Sequence, residues 1–177
     1  MLGDENKNII DLHHSVNLGK GAALKTGCDA ACRLKVDAII CIDADGQHNP
    51  DHIPKFIDVL KHKPIDIVFG ARQFNRDMPL AMFIGNHLLS NVINYLFHVK
   101  LRDSQSGYRA FTASTYQRIQ WESQGYAAET EMIAHASEAN LRYAEIDIDT
   151  IYYDGYKGTT ILDGIKIFLY ILRWKLL

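Results

Sequence analysis

Short unbroken apolar runs alternate along this chain with longer stretches whose apolar residues recur every three or four positions. The first kind reads as strand buried on both faces, the second as helix packed along one side. Residues 9–14 read as a short strand, and the turn Asn17-Leu18-Gly19-Lys20-Gly21 leads into a helix over 22–34. Residues 36–42, rich in Val and Ile, read as an interior strand of a parallel sheet. A helix over 51–62 and a strand over 65–69 follow, with Asn49 and Pro50 as N-cap and first helical residue. This β-α-β-α-β alternation predicts an α/β fold with a mostly parallel, helix-covered sheet and right-handed crossovers.

After Pro79 the pattern changes. Residues 80–98 are apolar nearly throughout, with only mild polar interruptions at Asn86, His87, Ser90, Asn91 and Asn94. Without a charged face such a helix packs in a core or lies against a membrane surface, and the pattern leaves both open. A polar loop over 102–107 runs into a strand over 108–111, a helix is expected over 128–139, and one or two strands over 143–153. Residues 155–158 read as a glycine-bounded loop. Residues 160–177 are amphipathic, with Lys166, Arg173 and Lys175 placed to reach past an apolar body, which suits an interface helix better than a span.

Composition narrows the class. The 177 residues fit one domain, 47% of them are hydrophobic, and the formal charge of −2 gives no electrostatic case for nucleic acid. Cys28, Cys32 and Cys41 are an odd set without paired spacing, which favours a reducing compartment and small core residues. No stretch of about 18 uncharged apolar residues is present to span a bilayer.

The candidate chemistry gathers at strand ends. Asp43-Ala44-Asp45-Gly46-Gln47-His48 leaves the 36–42 run, at the sheet edge where ligands of α/β folds bind. Two carboxylates one residue apart with an amide nearby, Asp43, Asp45 and Gln47, offer hard oxygen ligands to Mg²⁺ or Mn²⁺, ions that complete their shell with substrate phosphates. Gly70-Ala71-Arg72 ends the next strand, and Arg72 suits phosphate recognition. The loop Asp103-Ser104-Gln105-Ser106-Gly107-Tyr108-Arg109 brings a second cation, Arg109. Glu129 and Glu131 open a helix, where carboxylates also complement the dipole. His48 and His52 lie one turn apart, a spacing that a zinc site would use, although no third ligand is placed by spacing.

In this order, these segments resemble the family 2 glycosyltransferases, particularly the dolichyl- and polyprenyl-phosphate branch. The resemblance runs through Asn17-Leu18-Gly19-Lys20-Gly21-Ala22-Ala23, Asp43-Ala44-Asp45-Gly46-Gln47-His48-Asn49-Pro50, Gly70-Ala71-Arg72, Asn86 and Ser90. It continues through Asp103 to Phe111, Glu129-Thr130-Glu131-Met132 and the loop over 152–158. It implies a GT-A, Rossmann-like fold and inverting transfer from a GDP- or UDP-linked sugar to a polyprenyl or dolichyl phosphate at the cytoplasmic membrane face. It further implies Asp43, Asp45 and Gln47 as metal contacts. Asp45, Arg72 and Arg109 are then catalytic, and Asn86, Ser90, Gln105, Ser106, Glu129 and Glu131 line the substrate site. Were the acceptor a saccharide hydroxyl, a base would be needed, from Glu129, Glu131 or Asp103.

The chain also departs from the family. The elements that carry Pro-x-Tyr-Asn-Glu-like and Asp-Asp-Gly-Ser-like segments are expected upstream of Met1, so the sheet reads as N-terminally incomplete. A partner chain or oligomer that completes it is expected, and an inactive remnant serving as an interaction module is the reading of a different class.

Overall fold

The computed structural model describes residues 9–73, 80–151 and 170–171. Four strands form one sheet in the order β1-β3-β2-β4, with β1 Ala38–Cys41, β2 Ile67–Arg72, β3 Arg109–Thr112 and β4 Tyr143–Ile148. Strand β3 lies between β1 and β2 and runs antiparallel to both, pairing Ile39 with Phe111 and Val68 with Ala110. Strand β4 is parallel to β2, with Val68 opposite Ala144.

The helices are α1 Lys20–Arg33, α2 Ile53–His62, α3 Leu80–Phe97, α4 Ala113–Ile119 and α5 Ala128–Glu138. Alternation along the strands sorts the core into two layers. Ile39, Cys41, Ile67, Phe69 and Phe111 face a large cluster with Cys28 of α1, Ile93 and Phe97 of α3, Tyr116 and Ile119 of α4, and Met132 and Ile133 of α5. Val68, Ala110 and Ile148 face the other way, against Phe56 and Val59 of α2, where the Phe56 and Tyr108 rings stack with centroids 4.4 Å apart. Successive residues point to opposite faces, so a sheet covered on both sides needs the unbroken apolar runs seen in the sequence.

Several expectations change. Among the described residues the 36–42 run is neither interior nor parallel: β1 lies at the sheet edge and pairs with β3, antiparallel. An apolar run reports that both faces are covered, not which way its neighbours run, and the sheet is mixed rather than mostly parallel. Residues 9–14 form no strand, and Ile9, Ile10 and Leu12 are exposed. Strand propensity is set by packing context more than by the backbone, and among the described residues the apolar side chains of 9–12 find no packing that buries them. Helix α4 was not anticipated, although Thr112 caps it by accepting the Thr115 amide at 3.1 Å. The cap at Asn49 is as expected: its side chain accepts the Asp51 amide at 2.9 Å, opening a single 3₁₀ turn, Pro50–His52, that leads into α2.

Cys28 and Cys41 are buried with sulfurs 3.9 Å apart, and Cys32 is half-buried. The contact with Cys41, together with burial, pushes the Cys28 thiol up, which keeps it protonated and unreactive. The loop over 155–158 and most of the helix expected over 160–177 lie outside the described residues. Ile171 is buried in the large cluster.

Because Phe111 is fully buried at the centre of that cluster, Phe111→Ala is expected to destabilise the fold by about 3–5 kcal/mol. Urea unfolding should show a lower midpoint with an unchanged slope.

Candidate active site

The site begins where β1 ends. The chain leaves Cys41 and turns through Asp43 and Asp45, with the Asp45 Oδ1 accepting the Gln47 amide at 3.0 Å. The turn is fixed from below by the segment after β4, where His48 bridges to Thr150 and the Ile151 amide donates to the Gln47 carbonyl at 3.1 Å. Asp45 is exposed, whereas Gln47 and His48 are buried.

Asp43 faces inward onto Lys20. The Lys20 ammonium lies 2.8 Å from Asp43 Oδ1, 3.0 Å from Oδ2 and 2.7 Å from Glu129 Oε1. Lys20 is the first residue of α1, where the helix dipole repels a cation and no acidic side chain stands in the first turn. The two carboxylates outweigh that repulsion. Burial alone would lower the Lys20 pKa, yet Glu129 and Asp43 raise it well above the ordinary lysine value. Burial alone would likewise raise Asp43, but His48 and Lys20 hold its carboxyl well below the usual carboxylate range. The His48 Nε2 stands 3.7 Å from Asp43 Oδ2.

Two close approaches make this cluster possible. A Cβ on Gly21 would strike the Ser123 carbonyl and Ala128, so glycine lets the start of α1 meet the start of α5. A Cβ on Gly107 would fall on the Asp43 carboxylate, 2.6 Å from its Oδ1. The loop over 103–107 therefore lies directly on the acid, which explains a glycine at the end of the Ser-Gln-Ser sequence.

That loop is built by the two arginines. Arg72 donates from Nε to Asp103 Oδ2 at 2.6 Å and from Nη2 to Oδ1 at 2.9 Å, a two-pronged pair in which Asp103 is fully buried. Burial alone would raise Asp103, but Arg72 outweighs it and lowers the carboxyl. Arg109 is 1% exposed, and its three nitrogens donate to the carbonyls of Ser106 (3.0 Å), Glu129 (2.6 Å) and Ser104 (2.8 Å). Its guanidinium also lies 5.1 Å from the centre of the Phe69 ring. Arg109 is thus a pin for the loop and for α5, rather than a cation facing an incoming substrate.

Other expected residues divide the same way. Glu131 receives the Glu122 and Ser123 amides on its two oxygens, both at 2.9 Å, so it shapes the turn before α5 instead of lining a substrate site. Ser90, buried on α3, lies 3.0 Å from the Ser104 hydroxyl and accepts the Ser104 amide at 3.1 Å. The Ser106 hydroxyl accepts the Tyr108 amide at 3.3 Å, and Gln105 donates to the Ser104 hydroxyl at 3.0 Å. Asn86 is half-buried with its amide nitrogen lacking a hydrogen-bond partner among the described residues. His52 accepts the Asp149 amide on Nε2 at 3.0 Å, which removes it from a zinc pair with His48.

The structure therefore brings Asp43 and Glu129 together through Lys20, with Asp45 and Gln47 on the adjoining turn; it adds Lys20 and Gly107, which the sequence had not singled out for a role, and sets His48 beside Asp43 rather than in a zinc pair. A lone lysine between two glycines was the available signal for Lys20. The Lys20 ammonium and the Arg109 guanidinium both act on Asp43 and Glu129, while Asp45 is exposed. Glu129 Oε2 and Gln47 Nε2 are buried with no hydrogen-bond partner among the described residues. Carboxylate and amide oxygens are the hard ligands that a divalent cation takes. Among the described residues, however, no group of three acidic, histidine or cysteine side chains is placed to hold a metal ion.

A mixed sheet that delivers a twin-aspartate turn at a strand end, with helices on both faces, is a GT-A type glycosyltransferase architecture. The manganese, UDP and phosphoglyceric acid complex of glucosyl-3-phosphoglycerate synthase from Mycobacterium tuberculosis superposes with a TM-score of 0.66 at 16% identity, over 88% of this chain and 53% of that one. At that identity the likeness carries the fold alone. The chain belongs to glycosyltransferase family 2, whose model, Glycosyl transferase family 2, matches residues 2–120.

Among curated relatives, the UDP-N-acetylglucosamine–dolichyl-phosphate N-acetylglucosaminyltransferase of Methanococcus voltae is 35% identical, over 95% of this chain and 70% of that protein. The undecaprenyl-phosphate mannosyltransferase of Micrococcus luteus is 24% identical over 81% of this chain and 61% of its own. The chain thus spans about half the length of the solved structure and between three-fifths and three-quarters of these relatives.

Lys20→Met should destabilise the protein and make it more acid-sensitive. Breaking a buried pair costs about 3–5 kcal/mol, and less is expected here because the Lys20 and Asp43 side chains remain 29% and 22% exposed. Asp43 has a depressed pKa in the fold, so its contribution is complete above the ordinary carboxylate pKa and fades as pH falls through the lowered one. Without Lys20 that fading moves to higher pH. Acid titration followed by circular dichroism should show the unfolding midpoint shifted upward.

Proposed function

We propose that the protein transfers a sugar from a nucleotide diphosphate donor to a polyprenyl or dolichyl phosphate at the cytoplasmic face of a membrane. A phosphate oxygen of the acceptor attacks the anomeric carbon from the side opposite the nucleotide. The bond to the diphosphate breaks, its electron pair leaves with the nucleoside diphosphate, and the sugar's configuration inverts. The single observation behind this reading is the carboxylate-rich cluster around Lys20, with Asp45 open at the sheet rim.

Within that scheme Asp43 and Asp45 would hold Mg²⁺ or Mn²⁺, with Gln47 beside them. A bound divalent ion would supply Lewis-acid stabilisation of the charge gathering on the departing diphosphate. The chain's own residues do the rest. Lys20 keeps Asp43 ionised and orients Glu129 through an ion pair, Gly107 admits the loop against Asp43, and the Arg72–Asp103 pair and Arg109 hold that loop rigid. The buried Gln47 amide nitrogen is suited to donate to a diphosphate oxygen, since an N–H without a partner is costly until it finds one.

The acceptor chemistry follows from the same contacts. A phosphate acceptor is already ionised and needs no base. Of the three carboxylates that could act as base toward a hydroxyl, Asp103 is taken by Arg72 and Glu131 by two backbone amides, leaving Glu129, itself paired with Lys20. The names of the relatives from Methanococcus voltae and Micrococcus luteus support a dolichyl- or undecaprenyl-phosphate acceptor. The manganese and UDP in the structural neighbour support a metal-linked donor.

Calorimetric titration of UDP and GDP with and without Mn²⁺ tests the donor side. Nucleotide binding should depend on the ion and fall at least tenfold in Asp45→Asn, with unfolding temperature unchanged because Asp45 is exposed. Unchanged metal-linked binding in that variant would reject the role given to Asp45. Transfer of labelled sugar to polyprenyl phosphate, compared with an oligosaccharide acceptor, tests the acceptor side.

A further inference from the structure

The start of α1 borrows its cap from elsewhere in the chain. Gly19 precedes it without a side-chain cap, and no acidic residue stands in its first turn. The turn between α4 and α5 supplies the partner, since the Ala22 amide donates to the Gln124 carbonyl at 3.3 Å. Trp121, 1% exposed, adds a second tie by donating from Nε1 to the Gly21 carbonyl at 2.9 Å. Its ring meets Tyr116 edge-on with centroids 5.7 Å apart, and the Tyr116 hydroxyl donates to Asp29 of α1 at 2.7 Å. A Cβ on Gly19 would strike the Gln124 carbonyl, so glycine is what lets this turn come so near.

Helix α5 grips the same turn from the other side. Glu131 is buried, and its two oxygens accept the Glu122 and Ser123 amides. One helical turn further on, His135 Nδ1 lies 2.7 Å from the Gln120 carbonyl. Residues 120–124 thus form a clasp between α1 and α5. Lys20 directly precedes the clasped Gly21, and Glu129 lies two positions before Glu131. Residues two apart on a helix point roughly 200° apart, so Glu129 turns to Lys20 while Glu131 turns to the clasp.

We infer that Glu131 is a positioning residue for the candidate site. Acting through the clasp, it sets the spacing of Lys20 and Glu129 and thereby the presentation of Asp43 to the donor; this role rests on the metal-linked donor reading above. A serine or aspartate at position 19 would cap α1 by itself. Taking the cap from a turn held by α5 makes the separation of the two helix starts one fixed quantity. An ammonium that spans contacts of 2.8 Å to Asp43 and 2.7 Å to Glu129 requires that. The clasp also needs a carboxylate: two N–H donors converge on Glu131, and a glutamine would turn an N–H against one of them.

Glu131→Gln in the full chain tests this, with Trp121→Phe as an independent variant that keeps the ring and cuts the tie to Gly21. Asp66→Asn, at the far end of β2 from the site, is the control for lost stability alone. Calorimetry with UDP or GDP and Mn²⁺ should show affinity falling about tenfold in both clasp variants and unchanged in Asp66→Asn. Nuclear magnetic resonance of ¹⁵N-lysine-labelled protein reads the clasp without any ligand. The Lys20 ammonium signal, assigned by its loss in Lys20→Met, should shift and exchange faster with water in both clasp variants. A Lys20 signal unmoved in both would overturn the inference. So would an equal loss of affinity in Asp66→Asn, which would make the effect one of general stability. Wild type that binds neither nucleotide, with the Lys20 signal still moved by the clasp variants, would count against the proposed reaction and leave the clasp standing.

Discussion

A single ammonium group, Lys20 Nζ, lies between the carboxylates of Asp43 and Glu129, and three separate parts of the fold meet there: the start of α1, the end of β1 and the start of α5. Each part is unfavourable alone. A lysine at a helix N-terminus opposes the dipole, and a buried and a half-buried acid repel one another. Brought together they cancel most of that cost. The same pairing keeps Asp43 ionised far into acid, a property that follows from packing rather than from solvent exposure.

A second constraint is the closeness of the 103–107 loop to Asp43. Loop backbone that approaches a carboxylate this nearly needs its polar groups answered, and the structure answers them with buried cations. Arg109 takes three carbonyls and Arg72 takes Asp103, while Ser90 of α3 takes the Ser104 amide. The arginines thus fix where the loop sits. The guanidinium fork fits this work because its donors are rigidly spaced and always charged.

Helix α3 joins these levels, since its inner side both closes the core and anchors the loop. That side is distinguished by its few hydrogen-bonding residues, Ser90 and Asn94, each matched to backbone of the 101–107 segment.

The sequence by itself determined α1, α2, α3 and α5, the N-cap at Asn49, the covering of the sheet on both faces and the twin-aspartate turn, because these rest on local periodicity and on short-range capping chemistry. It also determined the family, through several motifs in order. Tertiary structure decided the rest. The position and direction of β1 depend on β3 inserting beside it, an event some 70 residues away in the chain that an apolar run does not encode. The failure of residues 9–14 to form a strand is likewise a matter of packing, since Ile9, Ile10 and Leu12 stay exposed. The roles of Arg109, Glu131 and Asp103 turned on their partners, since a charged residue in a polar loop looks the same in sequence whether it meets substrate or backbone. Lys20 emerged only when folding brought two carboxylates, 23 and 109 residues further along, within hydrogen-bond distance of one amine.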